Sequence, residues 1–148
     1  MKIPEEMIRE FVARHYHYGE VIRIPANGEE PSEVICSLGV LGNGLVSVCG
    51  AIIGESRPHY HRRTIELYLV NRGALRLAVE SQPKGVVSWI NLEAGRSYLV
   101  QPPLVHFAIG VNNPAEVLVV AYPPWSAADH ILVHQQDLVF ATDVSKAA

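Results

Sequence analysis

Apolar and polar residues follow two different repeats along this chain. In residues 4–14 the apolar positions recur at the spacing of one helix face, and Pro4 suits the first position of a helix. The apolar residues of this face are Met7, Ile8, Phe11 and Val12. From residue 20 onward, short apolar runs alternate with turns rich in Gly, Pro and Asn, which is typical of β-strands. The pattern predicts a short N-terminal helix, over residues 4–14, followed by an all-β domain.

The candidate strands are short and closely spaced. They cover residues 20–24, 33–41, 44–53, 65–70, 74–80, 86–92, 97–101, 105–111 and 116–122. Strands of this length and spacing predict a sandwich or barrel. Several of them, including 86–87 and 117–120, are apolar on both faces, so something must cover part of the outer surface. We therefore expect a homodimer, in which a second copy supplies the cover. The C-terminal tail, residues 123–148, is expected to pack on the outside or on the partner.

Composition narrows the class of protein. A chain of 148 residues with 49% hydrophobic and 18% charged residues suits one domain, 1–148, with one core. The net charge of -3 and the lack of a basic cluster argue against nucleic acid or an anionic membrane as partners. The N-terminus lacks the apolar segment of a signal peptide, which favours a cytoplasmic location. Cys36 and Cys49 lie among apolar residues and are expected to be reduced thiols.

Metal-ligating residues cluster in one stretch, where His59 and His61 precede Glu66. In an extended chain residues i and i+2 point to the same side, so both imidazoles point the same way. A short turn through residues 62–64 then brings Glu66 alongside them. Imidazole and carboxylate together suit a divalent transition metal ion such as Mn, Fe, Co, Ni or Zn.

A fourth ligand comes from residues 94–106, where a Gly turn, a strand and a Pro-Pro turn precede His106. The residues between Glu66 and His106 are enough for the intervening strands to return to the same interior face. By contrast, His15 and His17 share the His-x-His spacing, but no carboxylate or third histidine follows them at a useful spacing, so we do not expect them to bind metal.

These two stretches resemble the two motifs of the cupins. The first follows G-x-x-x-x-H-x-H-x-x-x-x-E-x-x-x-x-x-x-G, with Gly54 one residue closer to His59 than is most common and Gly73 at its end. The second has Gly95, a proline at 102 or 103, and the histidine, but it lacks the usual glycine before the histidine and has Gly110 where Asn is common. The resemblance covers about residues 34–122. It implies a double-stranded β-helix, that is, a jelly-roll cupin barrel, often dimeric, with the metal inside.

Further candidate residues surround this site. Tyr68 shares a face with Glu66 and either donates a hydrogen bond to substrate or fills the barrel. Arg57 either binds an anionic group of the substrate or is solvated. Tyr98 and Gln101 lie on opposite faces of one strand, so only one of them is expected to line the pocket. In the tail, His130 and His134 form either a helical metal pair or, as we favour, a surface or dimer contact.

The resemblance is poorly specific for the reaction, because this fold carries many chemistries. An ion held by three His and one Glu keeps positions for a small oxygen-bearing substrate. We favour a sugar or hydroxy-carbonyl isomerase, although no second interior carboxylate presents itself as the base and the catalytic residue stays unassigned. The alternatives are an iron-dependent dioxygenase and a non-enzymatic module that binds or senses a small molecule.

Overall fold

The computed structural model of the protein describes residues 1–14 and 21–141. A single helix, α1 (Glu5–Arg14), precedes the strands in these residues. The strands are β1 (Val21–Ile24), β2 (Glu33–Leu41), β3 (Val46–Ile53), β4 (His59–Tyr60), β5 (Ile65–Arg72), β6 (Ala74–Glu80), β7 (Val87–Glu93), β8 (Ser97–Val100), β9 (His106–Gly110), β10 (Ala115–Tyr122) and β11 (Ile131–Leu132). The short strands β4 and β11 are absent from the prediction, because two residues are too few to show an alternation.

The strands form two antiparallel sheets. The large sheet has the order β1-β2-β3-β10-β5-β8 and the small sheet the order β11-β4-β9-β6-β7. Consecutive strands repeatedly cross from one sheet to the other, so the two sheets enclose a common interior. The predicted all-β fold with a short N-terminal helix is confirmed.

Alternation along β5 separates the interior from the outer surface. In β5, Glu66, Tyr68 and Val70 are buried and point inward, whereas Leu67 and Leu69 point outward. The inward residues of both sheets form one apolar core between the sheets, to which β6 contributes Leu75, Leu77 and Val79. Buried polar side chains, among them Glu66, adjoin this core.

The N-terminal end of the chain covers part of the outer surface. Ile8 and Phe11 of α1 pack on Val34, Cys36 and Ile52 of β2 and β3, and all five side chains are buried. An ion pair between Arg14 and Glu116 fastens the end of the helix to β10.

The C-terminal end covers part of the small sheet. The ring of Phe140 stacks on Trp89 at 5.8 Å, while Phe107 contacts both rings edge-on. Our expectation that a second copy covers the outer surface is therefore wrong for these two areas, because the two ends of the same chain cover them. The homodimer itself stays a prediction.

Both cysteines are free thiols, as predicted. Burial, together with the nearby carboxylates of Glu66 and Glu33, raises the pKa of Cys49 to about 12, so this thiol stays protonated. Within the described residues, no helix has both the length and the apolar character that crossing a membrane requires.

Candidate metal centre

Three strands bring the predicted ligands together at one end of the barrel. His59 of β4 is directly opposite His106 of the neighbouring β9, so these two imidazoles share one face of the small sheet. The chain passes through His61 and a turn over residues 62–64 into the large sheet, where Glu66 is the second residue of β5. The side chains therefore approach one point from both sheets.

The turn before β5 is held by a residue far away in the sequence. The Asp129 carboxylate accepts hydrogen bonds from the backbone N–H groups of Arg62 at 2.8 Å, Arg63 at 3.2 Å and Thr64 at 3.2 Å. Burial opposes ionisation of Asp129, but these hydrogen bonds lower the pKa of its carboxyl below the ordinary value. Because the turn sets the separation of His61 and Glu66, Asp129 positions the ligands without reaching the cluster with its carboxylate.

The four ligand side chains are buried and close together. One oxygen of Glu66, Oε1, lies 2.7 Å from Nε2 of His61, 2.9 Å from Nε2 of His106 and 3.7 Å from Nε2 of His59. All four ligand atoms lie within 4.8 Å of one another. The exposed fractions of the four residues are between 1% and 5%.

Backbone carbonyls determine which imidazole nitrogen faces the cluster. Nδ1 of His59 lies 2.8 Å from the carbonyl oxygen of Arg57, Nδ1 of His61 lies 2.6 Å from that of Asp129, and Nδ1 of His106 lies 3.1 Å from that of Leu104. A carbonyl oxygen only accepts hydrogen bonds, so each Nδ1 carries the proton and donates it. In the neutral imidazoles each Nε2 therefore presents a lone pair to the cluster.

This arrangement fits a cation. Burial opposes ionisation of Glu66, yet its contacts with the three histidines hold the pKa of its carboxyl well below the ordinary value. An ionised oxygen this close to three Nε2 atoms requires a positive charge among them, which protons on the imidazoles or a metal cation supply. Three imidazole nitrogens and one carboxylate oxygen are a suitable donor set for a divalent transition metal ion, and outer carbonyl partners of the kind seen here are typical of metal-bound histidines.

A cavity of about 610 Å³ opens beside the cluster, and His59 and Glu66 form part of its wall. The rest of the wall comes mainly from β1, β2, β3 and β10 and from residues 124–132. Most of these side chains are apolar, among them Ile22, Ile24, Ile35, Ala51, Val119, Trp125 and Leu132. The cavity is large enough for a small organic molecule whose polar end reaches the cluster.

The structure separates the four predicted substrate-binding residues into two pairs. Tyr68 and Arg57 line the cavity. The buried ring of Tyr68 lies 5.9 Å from that of His106, and burial together with the charge of Glu66 raises the pKa of its hydroxyl well above the ordinary value. Tyr98 packs against the apolar core and Gln101 is exposed, and neither lines this cavity.

The tail histidines do not form the helical pair considered above. His130 stacks on His59 with ring centroids 4.1 Å apart and accepts a hydrogen bond from the indole N–H of Trp125, at 3.3 Å, whereas His134 is exposed. Residues 124–132 thus border the cavity, and β11 pairs with β4, so this part of the tail does not pack on the outside as expected. His15 and His17 lie outside the described residues.

Glu33 is a cavity residue that the sequence analysis did not find. It is the first residue of β2, is half-buried and lines the same cavity as His59 and Glu66. Burial and the charge of Glu66 raise the pKa of its carboxyl to about 7, against the opposite influence of Arg57. The only signal in the sequence is an acidic residue two positions before Ile35 in a strand, and alone this indicates a solvated position.

Comparison with known proteins supports the fold. No family model matches the sequence, and no curated protein is similar enough to count as a match. Among solved structures, KdgF from Halomonas sp. is similar with a TM-score of 0.56 and 15% identity, over 71% of this chain and 88% of that protein. The nucleoside dehydratase Pac13 is similar with a TM-score of 0.60 and 15% identity, over 80% of this chain and 91% of that protein.

Two more structures extend this comparison. Variants of Pac13 from Streptomyces have been solved with uridine. An oxalate oxidase is similar with a TM-score of 0.57 and 18% identity, over 81% of this chain and 66% of that protein. At such low identities the likeness shows the fold alone, and it confirms the predicted cupin barrel.

Proposed function

We propose that this protein is a metal-dependent enzyme that acts on a small oxygen-bearing molecule, and that its reaction is the isomerisation of a hydroxy-carbonyl compound. The observation that carries the proposal is the convergence of three Nε2 lone pairs and one carboxylate oxygen at the wall of a cavity. A divalent ion on these ligands would keep positions directed at the cavity, where it would polarise a carbonyl group and acidify the neighbouring C–H bond.

The cavity wall favours a substrate with an apolar body. A free sugar carries hydroxyl groups along its whole length, and each one buried without a hydrogen bond costs about 1–3 kcal/mol. The apolar side chains Ile35, Ala51 and Val119 offer no such partners, so only the fewer polar side chains of the wall could bind substrate hydroxyl groups. A hydroxy-carbonyl compound that is polar at one end only suits this cavity better than a free sugar.

Polar groups of the chain lie near the end of the cavity where the substrate oxygens would bind. Tyr68 stays protonated, so its hydroxyl can donate a hydrogen bond to a substrate oxygen. Arg57 is exposed and lines the cavity, where its cation suits a carboxylate or phosphate on the substrate. These two residues would orient the substrate, while the buried histidines exclude water from their side of the cluster.

A second candidate is an iron-dependent oxygenase. The same fold occurs in an oxalate oxidase and in the Fe(II) form of HppE, and three imidazoles with one carboxylate also suit iron. Oxygenation needs open positions on the ion but no separate base. A binding or sensing module without catalysis is the third reading, and it needs only the cavity.

Metal analysis of protein purified without added metal distinguishes these candidates. We expect about one divalent ion per chain in the wild type. Manganese, cobalt or zinc would support isomerisation, iron together with oxygen uptake during a substrate screen would support the oxygenase, and absence of metal after attempted reloading would contradict both enzymatic proposals. The screen should contain α-hydroxy ketones with apolar substituents beside free sugars, because the cavity wall predicts that only the former react.

A further inference from the structure

We propose that Glu33 is the catalytic acid–base residue of this site, which removes and returns a proton on a substrate bound at the His–Glu cluster. This inference rests on the proposed function, since it assigns the base that hydroxy-carbonyl isomerisation requires. It adds a residue that lies outside both sequence motifs and is not among the four grouped ligands.

The position of Glu33 suits contact with substrate and excludes it from the ligand set. Glu33 and Glu66 point into the same cavity from β2 and β5, and β3 and β10 lie between these strands in the large sheet. Neighbouring strands are about 4.8 Å apart, so the two backbones are separated by roughly 14 Å along the sheet. The two inward side chains shorten this distance, which leaves room for a small molecule between the cluster and Glu33.

The carboxyl group of Glu33 is free to react. Its backbone is paired with Ile24 of β1 and Ile53 of β3, so the strand is held firmly. Within residues 1–14 and 21–141, however, no hydrogen bond or ion pair engages the carboxyl group itself. Glu66 and Asp129 differ in this respect, since both are occupied by fixed partners. Glu33 is half-buried and lines a cavity of the size of a small ligand. Its carboxyl group can therefore exchange a proton with a molecule bound there.

Other proton-bearing groups of the cavity are less suitable as a base. Tyr68 and Cys49 both have raised pKa values and remain protonated at neutral pH. His130 is held between the ring of His59 and the indole of Trp125. Without a metal ion, burial and the charge of Glu66 raise the pKa of Glu33 to about 7; the contribution of burial remains when the cluster holds an ion and favours proton transfer in both directions near neutral pH.

The proton transfer is balanced without any co-reactant. The Glu33 carboxylate takes the proton from the carbon next to the carbonyl, and the electron pair of that C–H bond remains on the substrate as an enolate. The hydroxyl proton of the substrate moves to the former carbonyl oxygen. Glu33 then returns its proton to the former carbonyl carbon. The product is the isomeric hydroxy-carbonyl compound, and neither oxidant nor reductant is consumed.

The test follows proton removal from one defined probe, the α-hydroxy ketone 2-hydroxy-1-phenylethanone. This compound joins a hydroxyl–carbonyl pair to an apolar ring. Zinc-loaded wild type, Glu33→Gln, Glu33→Asp and the control Glu93→Gln are incubated with the probe in D₂O, and mass spectrometry measures deuterium in its CH₂ group. Glu93 is an exposed carboxylate at the end of β7, on the small sheet. Metal content, thermal unfolding and calorimetric affinity for the probe are measured on the same samples.

We expect exchange by the wild type and Glu93→Gln, and a loss of about 100-fold or more in Glu33→Gln, the range found for general bases. Zinc content and probe affinity should stay within about threefold, and Glu33→Asp should retain partial exchange. Equal exchange by Glu33→Gln would overturn the assignment, as would a wild type that binds zinc and probe without exchange. Loss of zinc or of folding in Glu33→Gln would show a structural role and also overturn it. A wild type that takes up no zinc, manganese, cobalt or iron would instead overturn the proposed function.

Discussion

The two walls of the cavity are built in opposite ways. On the cluster side, every imidazole is held by a backbone carbonyl and the turn before Glu66 is held by Asp129. On the other side, residues of β1, β2 and β3 are mainly apolar, and the Glu33 carboxyl has no fixed partner among the described residues. The first wall is arranged to hold an ion, and the second is the wall that, in the proposed function, would bind and convert an organic molecule. Substitutions in the two walls should therefore affect different measurements.

Loss of a ligand should give the largest effect. We expect His106→Ala to reduce metal affinity by more than about 100-fold, since outer-shell partners alone typically account for about 10–100-fold. The control His134→Ala removes an exposed tail histidine and should leave metal content unchanged. Mass spectrometric metal analysis after equal loading measures both. Equal metal content in the two variants would contradict the site, provided that circular dichroism shows both to be folded.

Loss of the support behind the ligands should have a smaller effect of the same kind. Asp129→Ala removes the acceptor of three backbone hydrogen bonds in the turn before β5. We expect a loss of about 10–100-fold in metal affinity, the usual range for outer-shell partners, with the cavity wall opposite unaffected. Competition with a coloured chelator measures the affinity. Asp137→Ala, at an exposed aspartate in the same tail, is the matched control and should behave as the wild type.

Substitution in the opposite wall should change stability with pH. The groups that act electrostatically on Glu33 or feel its charge are Glu66, Arg57, Tyr68 and Cys49. The folded-state pKa of Glu33 is raised to about 7, whereas its ordinary value is 4.5, so the folded protein binds more protons between these values. Stability from this group is therefore fully present below pH 4.5 and is lost as the pH rises through about 7.

Glu33→Gln removes the ionisable group and with it the loss of stability at high pH. The free energy of unfolding of the metal-free variant should therefore exceed that of the metal-free wild type by about 1–2 kcal/mol at pH 8 and nearly equal it at pH 5. The full pKa shift corresponds to more, but a half-buried carboxyl is partly solvated. Urea unfolding at the two pH values measures the difference. A stability gain of the same size at pH 5 would contradict the raised pKa.

The smallest effect on the fold should come from the outer surface. Leu67 and Leu99 lie next to each other across β5 and β8, with Val120 on the other side of Leu67, and all three are half-buried or exposed. We predict that a second copy covers this face in a homodimer, with more than roughly 1,000 Å² buried in total. Leu67→Glu should then shift sedimentation at micromolar concentration toward the 16.3 kDa monomer without loss of metal, whereas Leu45→Glu, in an exposed turn, should not. A wild type that sediments only as a monomer would contradict the dimer.

The sequence by itself determined most of the strands and which side chains form the cluster, because both depend largely on short-range geometry. Two-residue spacing places His59 and His61 on the same side of the chain, and a short turn brings Glu66 back to them. His106 could be predicted because it opens a strand after a recognisable turn. Alternation also placed Tyr68 on the same face as Glu66, although it could not show that Tyr98 lies away from the cavity.

Only the tertiary structure decided the positions of Glu33 and Asp129. Alternation shows which residues of β2 share a face but not which face is inside the barrel. Because Glu33 and Ser37 are polar, the sequence alone would place their face toward solvent. The face is inside because α1 covers the opposite one, where Val34 and Cys36 pack on Phe11. Asp129 reaches the turn before β5 from more than sixty residues away. No local pattern encodes such contacts, because they depend on how the chain closes into a barrel and on where the C-terminal tail then packs against it.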